Sequence, residues 1–218
     1  MNKREPIFLS LLILVVVVAG CRSTRLQPQE EYADTITHAG TITDLNRGDY
    51  AGFMAVSNVL RYGDFGLGTF DGLDGEMYIH SGKVIRVDST LVPSPADPAV
   101  TTPFAVVTFF QSDRMFDVER MDQKLFQNAM SMRRKNDRLP QAVQVHGLFD
   151  RLLIRSVPRQ EQPWRPLNKV LETDSTKASL TNITGRMVGY YMPAPFASLH
   201  PEGFHFHFVS DDGSIGGH

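Results

Sequence analysis

The stretch Gly203-Phe-His-Phe-His-Phe-Val-Ser-Asp-Asp-Gly-Ser-Ile-Gly-Gly-His218 carries the strongest structural signal in the chain. Its first half alternates phenylalanine with histidine, and a period of two is typical of a β-strand. One face of that strand is therefore aromatic, and the other carries imidazoles. Asp212-Gly213 is a preferred two-residue hairpin loop, so the stretch predicts two antiparallel strands joined by a tight turn.

The predicted turn determines which residues face each other across this hairpin. Counting outward from the loop pairs Asp211 with Ser214, Phe208 with Gly217, and His207 with His218. Directly opposed side chains have Cβ atoms roughly 5 Å apart. His218 is therefore expected on the imidazole face, beside the two histidines of the first strand.

Three histidines on one rigid face, with no fourth nearby, form the ligand set of a catalytic zinc that keeps an open coordination position. A lone strand histidine is more often structural or simply exposed. The third histidine, placed in register by its own turn, favours metal binding. We predict a zinc ion held by His205, His207 and His218.

The whole chain has 218 residues, which is enough for one domain with a substantial core. Its formal net charge is −2, and no basic stripe interleaved with aromatic residues occurs. These features argue against nucleic acid as a partner.

The N-terminus has the features of a bacterial lipoprotein signal peptide spanning residues 1–20. Lys3 and Arg4 precede an apolar run at residues 7–19, which is too short for an ordinary membrane span. The run ends in Val18-Ala19-Gly20-Cys21, which resembles a lipobox whose cysteine is lipidated. We expect export and anchoring to the cell membrane through Cys21, with residues 21–33 as a polar tether. The alternative is an ordinary signal peptide in which Cys21 is incidental.

Residues 34–218 predict a β-rich α+β domain with mixed or antiparallel sheets and a few short helices. Strands are expected at residues 67–70, 104–110 and 186–192, with a hairpin at residues 76–87 that turns at Ser81-Gly82. Residues 142–155 suggest two strands separated by a break at Gly147. The four prolines of residues 92–103 indicate a loop.

Three segments have the pattern of short helices. Residues 53–60 are amphipathic, and Gly63 suits the position just after a helix end. Residues 120–132 also fit an amphipathic helix, whose methionines we interpret as core-filling side chains. A third short helix is expected at residues 167–171.

Four motifs together resemble the α-acetolactate decarboxylase family, from about residue 34 to residue 218. They are Gly68-Thr-Phe-Asp-Gly-Leu-Asp-Gly-Glu76, Thr102-Pro-Phe-Ala105 with Thr108-Phe-Phe110, Arg155-Ser-Val-Pro-Arg-Gln160, and Gly203-Phe-His-Phe-His-Phe with Gly216-Gly-His218. The resemblance implies decarboxylation of 2-hydroxy-2-methyl-3-oxobutanoate (acetolactate) to acetoin at a zinc held by three histidines. It also implies a homodimer.

The resemblance assigns the zinc to the three hairpin histidines and adds three more site residues. It makes Glu76 an active-site carboxylate, Arg155 an active-site cation and Thr69 a pocket-lining residue. Without it, Glu76 would be a solvated strand residue, Arg155 a surface charge and Thr69 an ordinary β-branched strand residue.

The resemblance also implies residues beyond the third histidine, including a second active-site glutamate and further strands. We therefore expect residues 34–218 to be a C-terminally incomplete domain and the sequence to be a fragment of a longer gene product. The alternative is a naturally truncated protein.

Two other functions remain open. A three-histidine site on a related fold could hydrolyse an ester or a lactone through a zinc-bound hydroxide. The chain could instead be a non-catalytic lipoprotein that binds a metal or a small acid.

Overall fold

The computed structural model describes residues 32–134, 136 and 138–218. The proposed signal peptide, Cys21 and most of the tether lie outside the described residues.

The strands are β1 (Thr37–Ala39), β2 (Met54–Ala55), β3 (Phe65–Thr69), β4 (Glu76–His80), β5 (Lys83–Val87), β6 (Pro93–Pro95), β7 (Thr101–Thr102), β8 (Ala105–Thr108), β9 (Gln141–Ser156), β10 (Thr176–Met192), β11 (Gly203–Ser210) and β12 (Gly216–Gly217). The helices are α1 (Ile42–Arg47), α2 (Val56–Val59), α3 (Gln123–Arg133) and α4 (Leu167–Thr173), with 3₁₀ turns at Asp71–Leu73 and Ala194–Phe196.

The strands form two main sheets, and every pairing among the described strands is antiparallel. The first sheet has six strands in the order β1-β8-β3-β4-β5-β6, and the second has four in the order β12-β11-β10-β9. Strands β2 and β7 form a separate pair. The predicted β-rich class with antiparallel sheets and a few short helices is confirmed.

The two main sheets pack against each other through the middle of the first sheet. All residues of β3 are buried, as expected for a short apolar strand covered on both faces. The Tyr190 hydroxyl on β10 donates a hydrogen bond of 3.0 Å to the Phe65 carbonyl of β3. The His207 ring on β11 reaches the Met77 carbonyl of β4. These contacts place the histidine face of β11 in the interior.

The C-terminal hairpin has the predicted register but a different turn. Phe208 pairs with Gly217, as expected. The Gly213 N–H donates to the Ser210 carbonyl, and the Ser210 N–H donates to the Ile215 carbonyl, so the loop is longer than two residues. The predicted pairing of Asp211 with residue 214 is wrong, because the Asp211 N–H donates to Thr184 of β10 instead.

Strand β9 is continuous, so the predicted break at Gly147 is wrong. Gly147 pairs with Gly185 inside a long ladder between β9 and β10. The neighbouring strand holds the chain extended and compensates for the weak strand preference of glycine. The same ladder extends β10 back to Thr176, well before the predicted start at residue 186.

The helix predicted at residues 53–60 is confined to Val56–Val59, and Gly63 does not follow its end. Leu60 is the C-cap of that helix, and Met54 belongs to β2. The predicted loop at residues 92–103 contains β6 and β7. Proline is tolerated in β6 because this strand lies at the edge of its sheet.

Helix α3 forms within the predicted segment but does not fill the core. None of its residues is buried, and Met132 is 85% exposed. Phe126 packs against Phe204 and Phe206 on the aromatic face of β11. The prediction of core-filling methionines is therefore wrong, because α3 lies outside the second sheet. Within the described part of the chain, no helix combines the length and apolarity needed to cross a bilayer.

We predict that Gly217→Ala destabilises the protein, whereas Gly147→Ala does not. A Cβ at position 217 would lie 2.7 Å from the Arg155 carbonyl oxygen and 3.1 Å from the Ile154 Cβ. The strands must separate to admit it, at a cost of about 1–3 kcal/mol. A Cβ at position 147 meets no atom within 4 Å. Thermal unfolding of both variants tests this difference, and equal midpoints would contradict it.

Candidate metal centre

The structure brings the three predicted histidines together. His205 and His207 point the same way from β11, and His218 directly follows β12. One ring nitrogen from each lies within 4.8 Å of the others. His205 is 8% exposed and His207 is 2% exposed, so the cluster is largely shielded from water.

The tautomer of His207 follows from its contact with the backbone. Its Nδ1–H donates a hydrogen bond of 2.7 Å to the Met77 carbonyl, so the lone pair of a neutral ring lies on Nε2. That Nε2 is buried and has no hydrogen-bond partner among the described residues. Glu76 Oε2 is 3.2 Å away but is not aligned for a hydrogen bond. An orphaned, buried lone pair is a cost that a bound cation would remove.

A chain of hydrogen bonds determines the remaining tautomers. Arg155 can only donate, so its Nη2 donates to His218 Nε2 at 3.1 Å. The His218 Nδ1–H then donates to His205 Nε2, also at 3.1 Å. The His205 Nδ1–H donates in turn to His200 Nε2. These rings are neutral in the metal-free protein, where the His218 Nδ1–H occupies the His205 lone pair that a metal would use.

Burial keeps the three histidines in the form that can bind a metal. It lowers the pKa of His207 to about 4 and holds the pKa values of His205 and His218 well below their ordinary range. Neutral imidazoles have the lone pairs that metal ligation requires. The residues therefore fit a divalent cation bound by nitrogen, although this donor set does not distinguish zinc from other imidazole-binding metals.

Glu76 and Thr69 face each other in the β3–β4 pairing beside the histidines. Burial raises the pKa of Glu76 to about 8, and the nearby positive charge of Arg155 only partly opposes this effect. The Thr69 hydroxyl donates a hydrogen bond of 2.7 Å to the Gly75 carbonyl, immediately before Glu76. Thr69 therefore holds the turn that presents the carboxyl group.

Arg155 reaches the cluster from the end of β9. Its Nε is buried and has no hydrogen-bond partner among the described residues, while its Nη2 contacts His218. A cavity of about 350 Å³ lies beside both residues and is lined by Leu153, Ile154, Arg155, Lys177, Ala178, Ser179 and His218. The structure thus gathers all six predicted site residues of the described chain, whereas Cys21 lies outside the described residues.

Comparison with known proteins points to the same family as the sequence motifs. The α-acetolactate decarboxylase family profile matches residues 36–218. The chain belongs to the α-acetolactate decarboxylase family. The α-acetolactate decarboxylase of Methanosarcina mazei is 34% identical over 187 residues, covering 85% of this chain and 65% of that protein. The enzyme of Bacillus licheniformis is 30% identical, covering 88% of this chain and 76% of that protein.

The fold agrees with a solved structure of the same family. The crystal structure of α-acetolactate decarboxylase from Bacillus subtilis strain 168 superposes with a TM-score of 0.81 at 31% identity. The superposition covers 84% of this chain and 78% of that chain. The chain spans just under two thirds of the length of the Methanosarcina mazei relative. The family resemblance predicted from the four motifs is confirmed.

Sequence reasoning missed His200, which hydrogen-bonds His205. His200 lies in the turn before β11, so it shares no strand period with the other histidines. The only sign of its role in the sequence was its position, five residues before His205. Its significance depends on how the turn folds back.

We predict that Glu76 makes the stability of the metal-free protein fall as pH rises from about 4.5 to 8. The folded chain keeps the proton of Glu76 up to a pKa of about 8, whereas the unfolded chain loses it near the ordinary value of 4.5. The stability contribution is therefore complete below pH 4.5 and lost as pH rises through 8. The glutamine of the Glu76→Gln variant cannot titrate, so this variant lacks the pH-dependent contribution.

Urea unfolding of both proteins from pH 5 to pH 8 provides the measurement. The free energy of unfolding of the wild type relative to Glu76→Gln should decrease with pH, by up to about 1.4 kcal/mol per unit of pKa shift. Titration of groups that Glu76 does not contact is common to both proteins and cancels in this difference. A difference that does not change with pH would refute the prediction.

Proposed function

We propose that this protein decarboxylates 2-acetolactate to acetoin and CO₂ in a zinc-dependent reaction. The observation that carries the proposal is the buried cluster of His205, His207 and His218 in a member of this family, with Glu76 and Arg155 beside it. His205, His207 and His218 would hold the zinc. When bound, the ion supplies Lewis acidity toward the oxygen on which negative charge develops.

Arg155 is proposed to orient the carboxylate that leaves as CO₂. Its guanidinium presents donors in a planar fork suited to a carboxylate. One of these donors contacts His218, and the buried Nε has no hydrogen-bond partner within the described part of the chain. The adjoining cavity is lined by both Arg155 and His218. The reaction breaks the bond to the carboxylate, and the electron pair remains on the substrate as an enediolate.

Glu76 is proposed to supply the proton that converts the enediolate to acetoin. In the metal-free protein, burial raises the pKa of Glu76 to about 8, so this carboxyl group can carry a proton near neutral pH and act as a general acid. Its burial beside His207 keeps water from competing for the same proton. Thr69 contributes by holding the carbonyl of Gly75 and thereby the start of β4.

We predict that the zinc-loaded protein forms acetoin and CO₂ from acetolactate and that His207→Ala abolishes both zinc binding and turnover. Its ring nitrogen is one of three ligands, so its loss leaves an incomplete site. His146→Ala is the matched control, because His146 is an exposed histidine paired with Asp211.

The products distinguish the competing functions. Release of CO₂ identifies decarboxylation, whereas hydrolysis of an ester or lactone without CO₂ would favour the hydrolase alternative. Metal binding without turnover of either kind of substrate would favour a binding lipoprotein. Full activity in His207→Ala would refute the proposed zinc centre.

The homodimer implied by the resemblance stays a prediction.

We also propose that the protein is exported and anchored through a lipidated Cys21. The support is the sequence at residues 1–21, with a basic start, an apolar run and the only cysteine of the chain at the cleavage position. Cys21→Ser should move the protein from the membrane fraction to the soluble fraction of the expressing bacterium. It should also abolish incorporation of a labelled fatty acid. A wild type that is already soluble and unlabelled would favour the ordinary signal peptide.

A further inference from the structure

His200 is a fully buried histidine that contacts the metal cluster from outside the hairpin. Its exposed fraction is 0%, and it follows the 3₁₀ turn at Ala194–Phe196. His200 Nε2 lies 3.1 Å from His205 Nδ1, whereas His205 Nε2 faces His218. His200 is therefore placed to orient a ligand without binding the metal itself.

The direction of this hydrogen bond follows from the next contact. His200 Nδ1 lies 3.1 Å from the Pro201 carbonyl, which can only accept. The proton of the neutral His200 ring is therefore on Nδ1, and its Nε2 must accept from His205 Nδ1–H. This proton position leaves the lone pair of His205 on Nε2, facing the cluster.

The His200 ring is held firmly by its surroundings. It packs against His38, Phe104 and Tyr190, with ring centroids 5.8, 5.9 and 6.1 Å away. The His200 N–H also donates to the Phe196 carbonyl at 3.1 Å. An acceptor with so little freedom can fix the orientation of the ring that it contacts.

The two strand histidines are oriented in equivalent ways by different groups. His207 donates its Nδ1–H to the Met77 carbonyl, and His205 donates its Nδ1–H to His200. The first acceptor belongs to the backbone, and side-chain substitution does not remove it. The second acceptor is a side chain, so its contribution can be measured.

We propose that His200 is a positioning residue of the metal centre, which holds His205 in the tautomer and orientation that present Nε2 to the ion. The inference rests on the proposed metal centre. Without this acceptor, the His205 proton can move to Nε2 and block the lone pair, and the ring can turn. Loss of such an outer hydrogen bond typically weakens metal binding about 10–100-fold.

The experiment compares His200→Gln with His200→Met in the full chain. The two side chains have similar length, but only glutamine has an oxygen that can accept from His205. Zinc affinity is measured by competition with a chromophoric chelator, and cobalt(II) absorption reports the ligand geometry. Thermal unfolding of the metal-free proteins measures the packing effect separately. His146→Ala is the control for loss of a histidine far from the cluster.

We expect His200→Met to bind zinc about 10–100-fold more weakly than the wild type and to have an altered cobalt spectrum. His200→Gln should retain most of the affinity at a comparable metal-free stability. Equal affinity in His200→Met and wild type would overturn the proposal, as would equal weakening in both variants. If His200→Met fails to fold, His200→Phe replaces it with the same expectation. A wild type that binds no zinc would instead refute the metal centre itself.

Discussion

The site depends on a pair of backbone hydrogen bonds between Arg155 and His218. The His218 N–H donates to the Arg155 carbonyl at 2.8 Å, and the Arg155 N–H donates to the His218 carbonyl at 3.0 Å. They join the end of β12 to β9, so that the two edges of the four-stranded sheet meet. The same two bonds place the His218 imidazole near that of His207, with ring centroids 5.3 Å apart, and the Arg155 guanidinium beside His218. Glycine at position 217 permits this approach, because any Cβ would meet the Arg155 carbonyl.

Burial then determines the chemistry of the groups gathered there. The same exclusion of water lowers the pKa values of the histidines and raises that of Glu76. Both kinds of residue are therefore neutral near pH 7, with lone pairs on the imidazoles and a proton on the carboxyl group. Arg155 carries a positive charge at the site. A substrate carboxylate and a metal ion would enter a region where charge is weakly screened and electrostatic interactions are strong.

The sequence predictions succeeded where a local period and a turn residue agreed. The hairpin of β4 and β5 turns at Ser81-Gly82 as expected, and both residues have positive φ values. The register of β11 and β12 was also correct, although the turn was not. The observed four-residue loop has the same centre as the predicted two-residue loop, so Phe208 still pairs with Gly217. Prediction failed where neighbours overrode local preference. Gly147 continues a strand because β10 pairs with it, and the prolines of β6 pair at a sheet edge.

By itself, the sequence determined the family, the β-rich class and the three histidines that share a face. These follow from residue identity and from a period of two, which any strand imposes on its side chains. Only the tertiary structure decided how Glu76 and Arg155 reach that face, and it alone revealed His200 behind His205. Strands far apart in the chain meet there because the two sheets must bury their apolar faces against each other. The depth of that burial sets the pKa values on which the chemistry depends, and no short motif encodes it.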